Sequence, residues 1–157
     1  MTAVPDTPRL AVEVVNPARA PAAAPFARSV LRRAASIPEV AARLPDGTSS
    51  IAIRITGDRE LRELNKSFAG NDSATDVLSF AGAGDHLGDL AISWEMVERQ
   101  AAGYGHAPLT EFALLCVHGL LHLLGWDHAA PAEAREMTRL TVAALERSDL
   151  RLAKGRL

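Results

Sequence analysis

The sequence predicts an α+β domain, with about four short strands in a mixed sheet packed with about five helices. Three observations carry that expectation. Short β-branched runs alternate with segments of helical length, turn residues punctuate them, and no internal repeat is present. At 157 residues the chain has the length of one ordinary domain, so residues 1–157 are expected to share one core.

Taken in order, Leu10–Val15 reads as a first strand closed by Asn16-Pro17. A helix is expected from about Phe26 to Ala42, interrupted near Pro38. Pro45-Asp46-Gly47 turns the chain into the strand Ser50–Thr56, where Ile51, Ile53 and Ile55 alternate with Ala52 and Arg54. Asp58 is placed to cap a helix carrying Leu61, Leu64 and Phe68. Asp76–Phe80 and Asp89–Ser93 read as short strands around a loop with Gly82, Gly84 and Gly88. Ser93 is placed to cap a helix running to Gly103. Pro108 and Thr110 open a strongly apolar helix that ends at Gly125, and Pro131 opens the last one. The basic tail after Leu150 is expected to fray.

Composition narrows the classes. Of the 48% hydrophobic residues many are among the 29 alanines, while Leu, Ile, Val and Phe number 39. That is enough for a packed core and excludes a wholly disordered chain. No window of eighteen apolar residues offers a membrane span. The N-terminus lacks the basic head and apolar stretch of a secretory leader. One cysteine, Cys116, allows no internal disulfide, which suits a reducing cytoplasm. The net charge of −2 argues against gripping long duplex nucleic acid by charge alone. Arg28, Arg32 and Arg33 nevertheless share helical spacing, a solvated face or a contact for a phosphate backbone.

The chemistry concentrates in His118-Gly-Leu-Leu-His122-Leu-Leu-Gly125-Trp-Asp-His128. Four-residue spacing puts His118 and His122 on one helix face, one turn apart. His128 reaches the same point only if the helix stops, and Gly125 supplies the left-handed residue that stops it. Three imidazoles without a thiolate leave one position of a tetrahedral ion open, the pattern of a catalytic metal. Such an ion lowers the pKa of a bound water from about 15.7 to about 7. Zinc is the ion expected, although nickel and other late first-row ions also suit imidazole. The spacing equals that of metzincin peptidases, but Gly119 stands where they carry their glutamate base. Glu111, two turns before His118 on nearly the same face, is a candidate for orienting a ligand or handling a proton. A solvent-exposed acid in the first turn is the alternative.

Together with Thr75-Asp-Val-Leu-Ser-Phe80 and Gly88-Asp-Leu-Ala-Ile-Ser93, the histidine segment resembles the YbeY endoribonucleases, bacterial ribosomal-RNA maturation factors. The resemblance covers roughly residues 50–145. It implies a compact α+β fold with a zincin-like metal helix and a divalent ion, zinc, held by His118, His122 and His128. It also implies single-strand-selective cleavage of RNA in maturation of the small-subunit ribosomal RNA 3′ end, and a part in ribosome quality control. The partners implied are ribosomal RNA and the small subunit or its assembly proteins. That family carries an arginine, needed for activity, after Asn-x-x-Tyr/Phe, whereas this chain has Asn65-Lys-Ser-Phe68-Ala69. Lys66, Arg62 or Arg54 could substitute for it.

Asp76 and Ser79 are candidates for contacting substrate or a ligand histidine, and Arg28 and Arg32 for contacting an RNA backbone. Asp127 could fix an imidazole tautomer or simply shape a turn. Trp94, Trp126 and Cys116 read as packing residues, and His86 and His106 as non-ligands. Two alternatives to the nuclease remain at this point: a metal-stabilised ribosome-assembly or RNA-binding factor with weak or no cleavage, motivated by Ala69, and a zincin-like peptidase.

Overall fold

Four strands and six helices make up the architecture of residues 9–73 and 75–157, which a computed structural model describes. The reading of the N-terminus falls largely on residues outside these. Strand β1 (Arg9–Val15) buries Leu10 and Val12 and exposes Arg9 and Glu13 on either side of them, as alternation dictates. Strand β2 (Thr48–Thr56) buries Ser49, Ile51, Ile53 and Ile55 in the same way. Strands β3 (Val77–Ala81) and β4 (His86–Ser93) form a hairpin through residues 82–85. The strand order is β1-β2-β4-β3. The β1/β2 and β2/β4 pairs are parallel and β3/β4 is antiparallel, so the sheet is mixed as expected.

Helix α1 (Ala23–Ala35) buries Ala27, Val30, Leu31 and Ala34, letting small side chains bring helix and sheet close. Helices α4 (Trp94–Tyr104) and α6 (Pro131–Glu146) are also amphipathic. Helix α5 (Pro108–Leu123) is buried nearly all round, and it touches α1, α4, α6, β3 and β4. It is the central element of the helical layer, which explains its continuous apolar sequence. No helix of the described residues is long and apolar enough to cross a membrane.

Several expectations need correction. The helix expected from about Phe26 begins at Ala23, while the interruption expected near Pro38 is present: α1 ends at Ala35, and the short α2 (Pro38–Ala41) opens on the proline. Asp58 does not cap α3 (Asp58–Leu64) but is its first residue. Its N–H donates to Glu95 Oε1 (3.0 Å) while its carboxylate pairs with Arg99. A π-helical turn, Asn65–Ala69, continues α3 and ends at Gly70, whose φ is 72°. The tail after Leu150 does not fray. Leu150 and Leu152 pack on the core, and the Ala153 N–H donates to His106 Nδ1 (2.9 Å). Ser93 does cap α4, its Oγ accepting from the Met96 N–H (3.2 Å).

Candidate active site

Helix α5 ends in a Schellman motif. The Trp126 N–H donates to the Leu121 carbonyl and the Gly125 N–H to that of His122, both at 3.0 Å, around Gly125 at φ 97°. Trp126 is thereby driven into the core, and Arg43 covers it, its guanidinium carbon 3.6 Å from the ring centre. The same arginine's Nη1 donates to the Leu124 carbonyl (3.4 Å), one of the helix's last acceptors. Asp127 shapes the next turn, accepting from the N–H groups of His128 (2.7 Å) and Ala129 (3.2 Å). It is therefore a turn residue, both bonds falling on its Oδ1.

The reversal brings the three histidines together. Their ring centres form a near-equilateral triangle: 6.3 Å from His118 to His122, 5.8 Å from His118 to His128 and 6.2 Å from His122 to His128. Three imidazoles around one tetrahedral ion have ring centres about 5 Å apart, so this triangle is slightly wide. Among the described residues no group of three His, Cys, Asp or Glu side chains already stands in ligand geometry. The donor set still fits a divalent ion of the zinc type. All three groups are nitrogen donors, and burial, followed by the neighbouring His128 and His122, holds His118 below the ordinary histidine value in the neutral form a metal needs. Cys116 is fully buried, and burial pushes its thiol up, away from the thiolate form.

A second polar group adjoins the first. Glu111 is completely buried, which overturns the exposed first-turn reading. Its Oε1 pairs with His106 Nε2 at 2.7 Å. Arg156 grips both oxygens, Nη2 to Oε2 at 2.7 Å and Nε to Oε1 at 3.0 Å. Burial pushes Glu111 up, but the Arg156 and His106 hydrogen bonds outweigh it and hold the carboxyl below the usual range. The Gln100 amide reaches two carboxylates, and assigning its nitrogen to that side lets it donate to Glu111 Oε2 (3.0 Å) and Asp76 Oδ2 (3.3 Å). Asp76, at the start of β3, also accepts from the Val77 N–H through Oδ1 (2.8 Å). Ser79 lies opposite Leu90 in the β3/β4 register, and Leu90 presses on Gly119 of α5. Alternation thus turns Ser79 toward the helix that carries the histidines.

Other candidates lie elsewhere. Arg28 Nε donates to the Val12 carbonyl (3.3 Å) on β1, the sheet edge opposite β3. The groove that Arg28, Arg32 and Arg33 share with Pro25 and Ser29 contains none of the three histidines. Of the three residues considered as substitutes for an arginine at the exposed Ala69, Arg54 pairs with Glu60 and Arg62 with Asp72, while Lys66 is exposed on the same π-helical turn. Trp94 and Trp126 are core residues. His86 contacts Ser50 and Asp89, and His106 contacts Glu111. Sequence reasoning missed Gln100, His106 and Arg156. Only His106, five residues before Glu111, gave a local hint.

Comparison with known proteins agrees with this architecture. The family model described as endoribonuclease YbeY matches residues 19–149. A Chloroflexus aurantiacus protein named endoribonuclease YbeY is 48% identical over 121 residues, covering 69% of this chain and 78% of its own length. One of the same name from Chloroflexus aggregans is 44% identical over 137 residues, covering 76% and 89%. A solution structure of a Thermotoga maritima protein matches with a TM-score of 0.61 at 20% identity, covering 94% of this chain and 100% of its own, and so shares the fold. The extent of the family match and the identity to these relatives establish that the chain belongs to the endoribonuclease YbeY family.

Proposed function

We propose that this protein is a metal-dependent endoribonuclease that hydrolyses phosphodiester bonds in single-stranded ribosomal RNA. It acts in maturation of the small-subunit RNA 3′ end and in ribosome quality control, in the cytoplasm, with the small subunit or its assembly proteins as partners. The observation that carries the reading is the convergence of His118, His122 and His128 across the Gly125 turn, in a chain of this family. The three imidazoles would hold the ion, zinc by preference. When bound, the ion supplies Lewis acidity and a water ionised near neutral pH.

The chain's own residues do the rest. Asp76 sets a carboxylate at the rim of the histidine cluster, held in place by the Val77 N–H and Gln100. Ser79, turned toward α5, offers a hydroxyl to a substrate oxygen. Glu111 has both oxygens occupied and a lowered pKa. It suits a fixed anchor better than a proton acceptor. Family membership favours neither the non-cleaving assembly factor nor the peptidase.

The test is single-turnover cleavage of an unstructured RNA by the wild type, the metal-stripped protein and His118→Ala. Metal-dependent cleavage that His118→Ala abolishes is the expected result. Retained RNA binding with no cleavage by the wild type would sink the nuclease and leave the assembly factor.

A further inference from the structure

The C-terminal tail supplies a cation to the polar group beside the histidines. From α6 the chain turns at Leu150, whose N–H donates to the Leu145 carbonyl (3.0 Å), and runs back over α4 and α5. Ala153 is tied to His106, and Arg156 then lays its guanidinium 4.6 Å from the Tyr104 ring centre and onto Glu111. The family match ends at residue 149, so Arg156 comes from a stretch beyond it.

Neutralising Glu111 uses only part of the guanidinium. Of its five N–H donors, those on Nε and Nη2 face Glu111, and Nη1 has no protein acceptor among the described residues. The side chain keeps 15% exposure, so it is not sealed from solvent. Glu111 stands two turns, about 10 Å, before His118 on nearly the same face of α5, so the guanidinium that grips it lies within reach of an RNA strand that also crosses the cluster. A polyanion approaching here meets the carboxylates of Asp76 and Glu111, and Arg156 is the cation set among them. The arginines of α3 and α4 each face another carboxylate, Arg59 that of Glu63, Arg62 that of Asp72 and Arg99 that of Asp58.

We propose that Arg156 is a substrate-binding residue, its guanidinium holding a backbone phosphate of the RNA beside the histidine cluster. This rests on the endoribonuclease reading above.

The test must separate phosphate binding from the support Arg156 gives to a buried carboxylate. Arg156→Gln alone leaves Glu111 without its cation and destabilises the fold, whereas Glu111→Gln with Arg156→Gln removes both charges together. The probe is a single-stranded RNA oligonucleotide, and the readouts are melting temperature, RNA affinity and its salt dependence. In the double variant the melting temperature is expected to return close to that of the wild type. Its RNA affinity is expected to stay about tenfold to hundredfold weaker, and the slope of log K against log salt to be shallower by about 0.7, one phosphate contact on a single strand. Recovery of stability together with wild-type affinity and slope would overturn the proposal.

Should the double variant not fold, NMR of the wild-type Arg156 side-chain N–H during titration with the same RNA decides. A resonance that shifts at saturation supports the contact, and one that does not move overturns it. If the wild type itself neither binds nor cleaves RNA, the endoribonuclease reading fails, a result distinct from loss in the variants alone.

Discussion

Gly119 lies against Leu90: a Cβ built on the glycine falls 2.6 Å from both terminal carbons of the leucine. Helix α5 can approach strand β4 this closely only because position 119 has no side chain. The consequence is chemical as well as steric. Metzincin peptidases carry their general base at the corresponding position, and here the core occupies the space a glutamate needs. Gly119→Ala is expected to destabilise the protein by about 1–3 kcal/mol through overpacking, despite alanine's better helix propensity. Adding Leu90→Val should recover part of the loss. Urea unfolding of the two variants checks both signs.

Arg43 and Trp126 hold the turn that positions His128. Removing the guanidinium in Arg43→Ala takes away the cation over the ring and a donor to the Leu124 carbonyl. Loss of stability is expected at about 1–2 kcal/mol. Zinc affinity, measured by competition with a chelator, should fall as well, because His128 loses the support of its turn.

Acid should unfold the metal-free protein partly through Glu111. Its carboxyl is held below the ordinary value of 4.5, so the folded state binds its proton less readily than the unfolded chain. Its contribution to stability is therefore complete above that ordinary value and is lost as pH falls through the lower, folded-state value. Unfolding free energy measured from pH 7 downward should decline below about 4.5, and Glu111→Gln should flatten that decline. Because the wild-type carboxylate is fully buried and paired, Arg156→Ala at pH 7 should cost about 3 kcal/mol.

Metal content should distinguish ligands from neighbours. His118→Ala, His122→Ala and His128→Ala are each expected to lose stoichiometric metal by elemental analysis, whereas His86→Ala and His106→Ala keep it. Unchanged metal in any of the first three would remove that residue from the set.

What was legible in the sequence divides along local and long-range lines. Ile51, Ile53 and Ile55 announced a half-buried strand by alternation alone. The Gly125 break announced the approach of His128 by helix geometry. Both depend on neighbours a few residues apart. The tail looked frayed because its basic, polar composition is that of a solvated terminus, and nothing local reveals that Arg156 meets Glu111 forty-five residues away. Whether Glu111 was exposed stayed open for the same reason, since its burial is imposed by α4 and the returning tail. The break between α1 and α2 was signalled by Pro38, but the start of α1 at Ala23 was not. It follows Ala22 in a left-handed conformation that alanine seldom adopts.

The parallel pairings of the sheet set the order in which the molecule can be assembled. Arg9 meets Thr48 and Ile51 meets Gly88, so neither pair forms until distant segments find one another, a slow event in folding. Two of the three imidazoles share a single helix and can be neighbours from the moment it forms. The seat of Leu90 on Gly119, however, waits for the sheet to be complete. Uptake of a metal ion at full affinity would then report the end of folding, and a stopped-flow zinc indicator would time the last step.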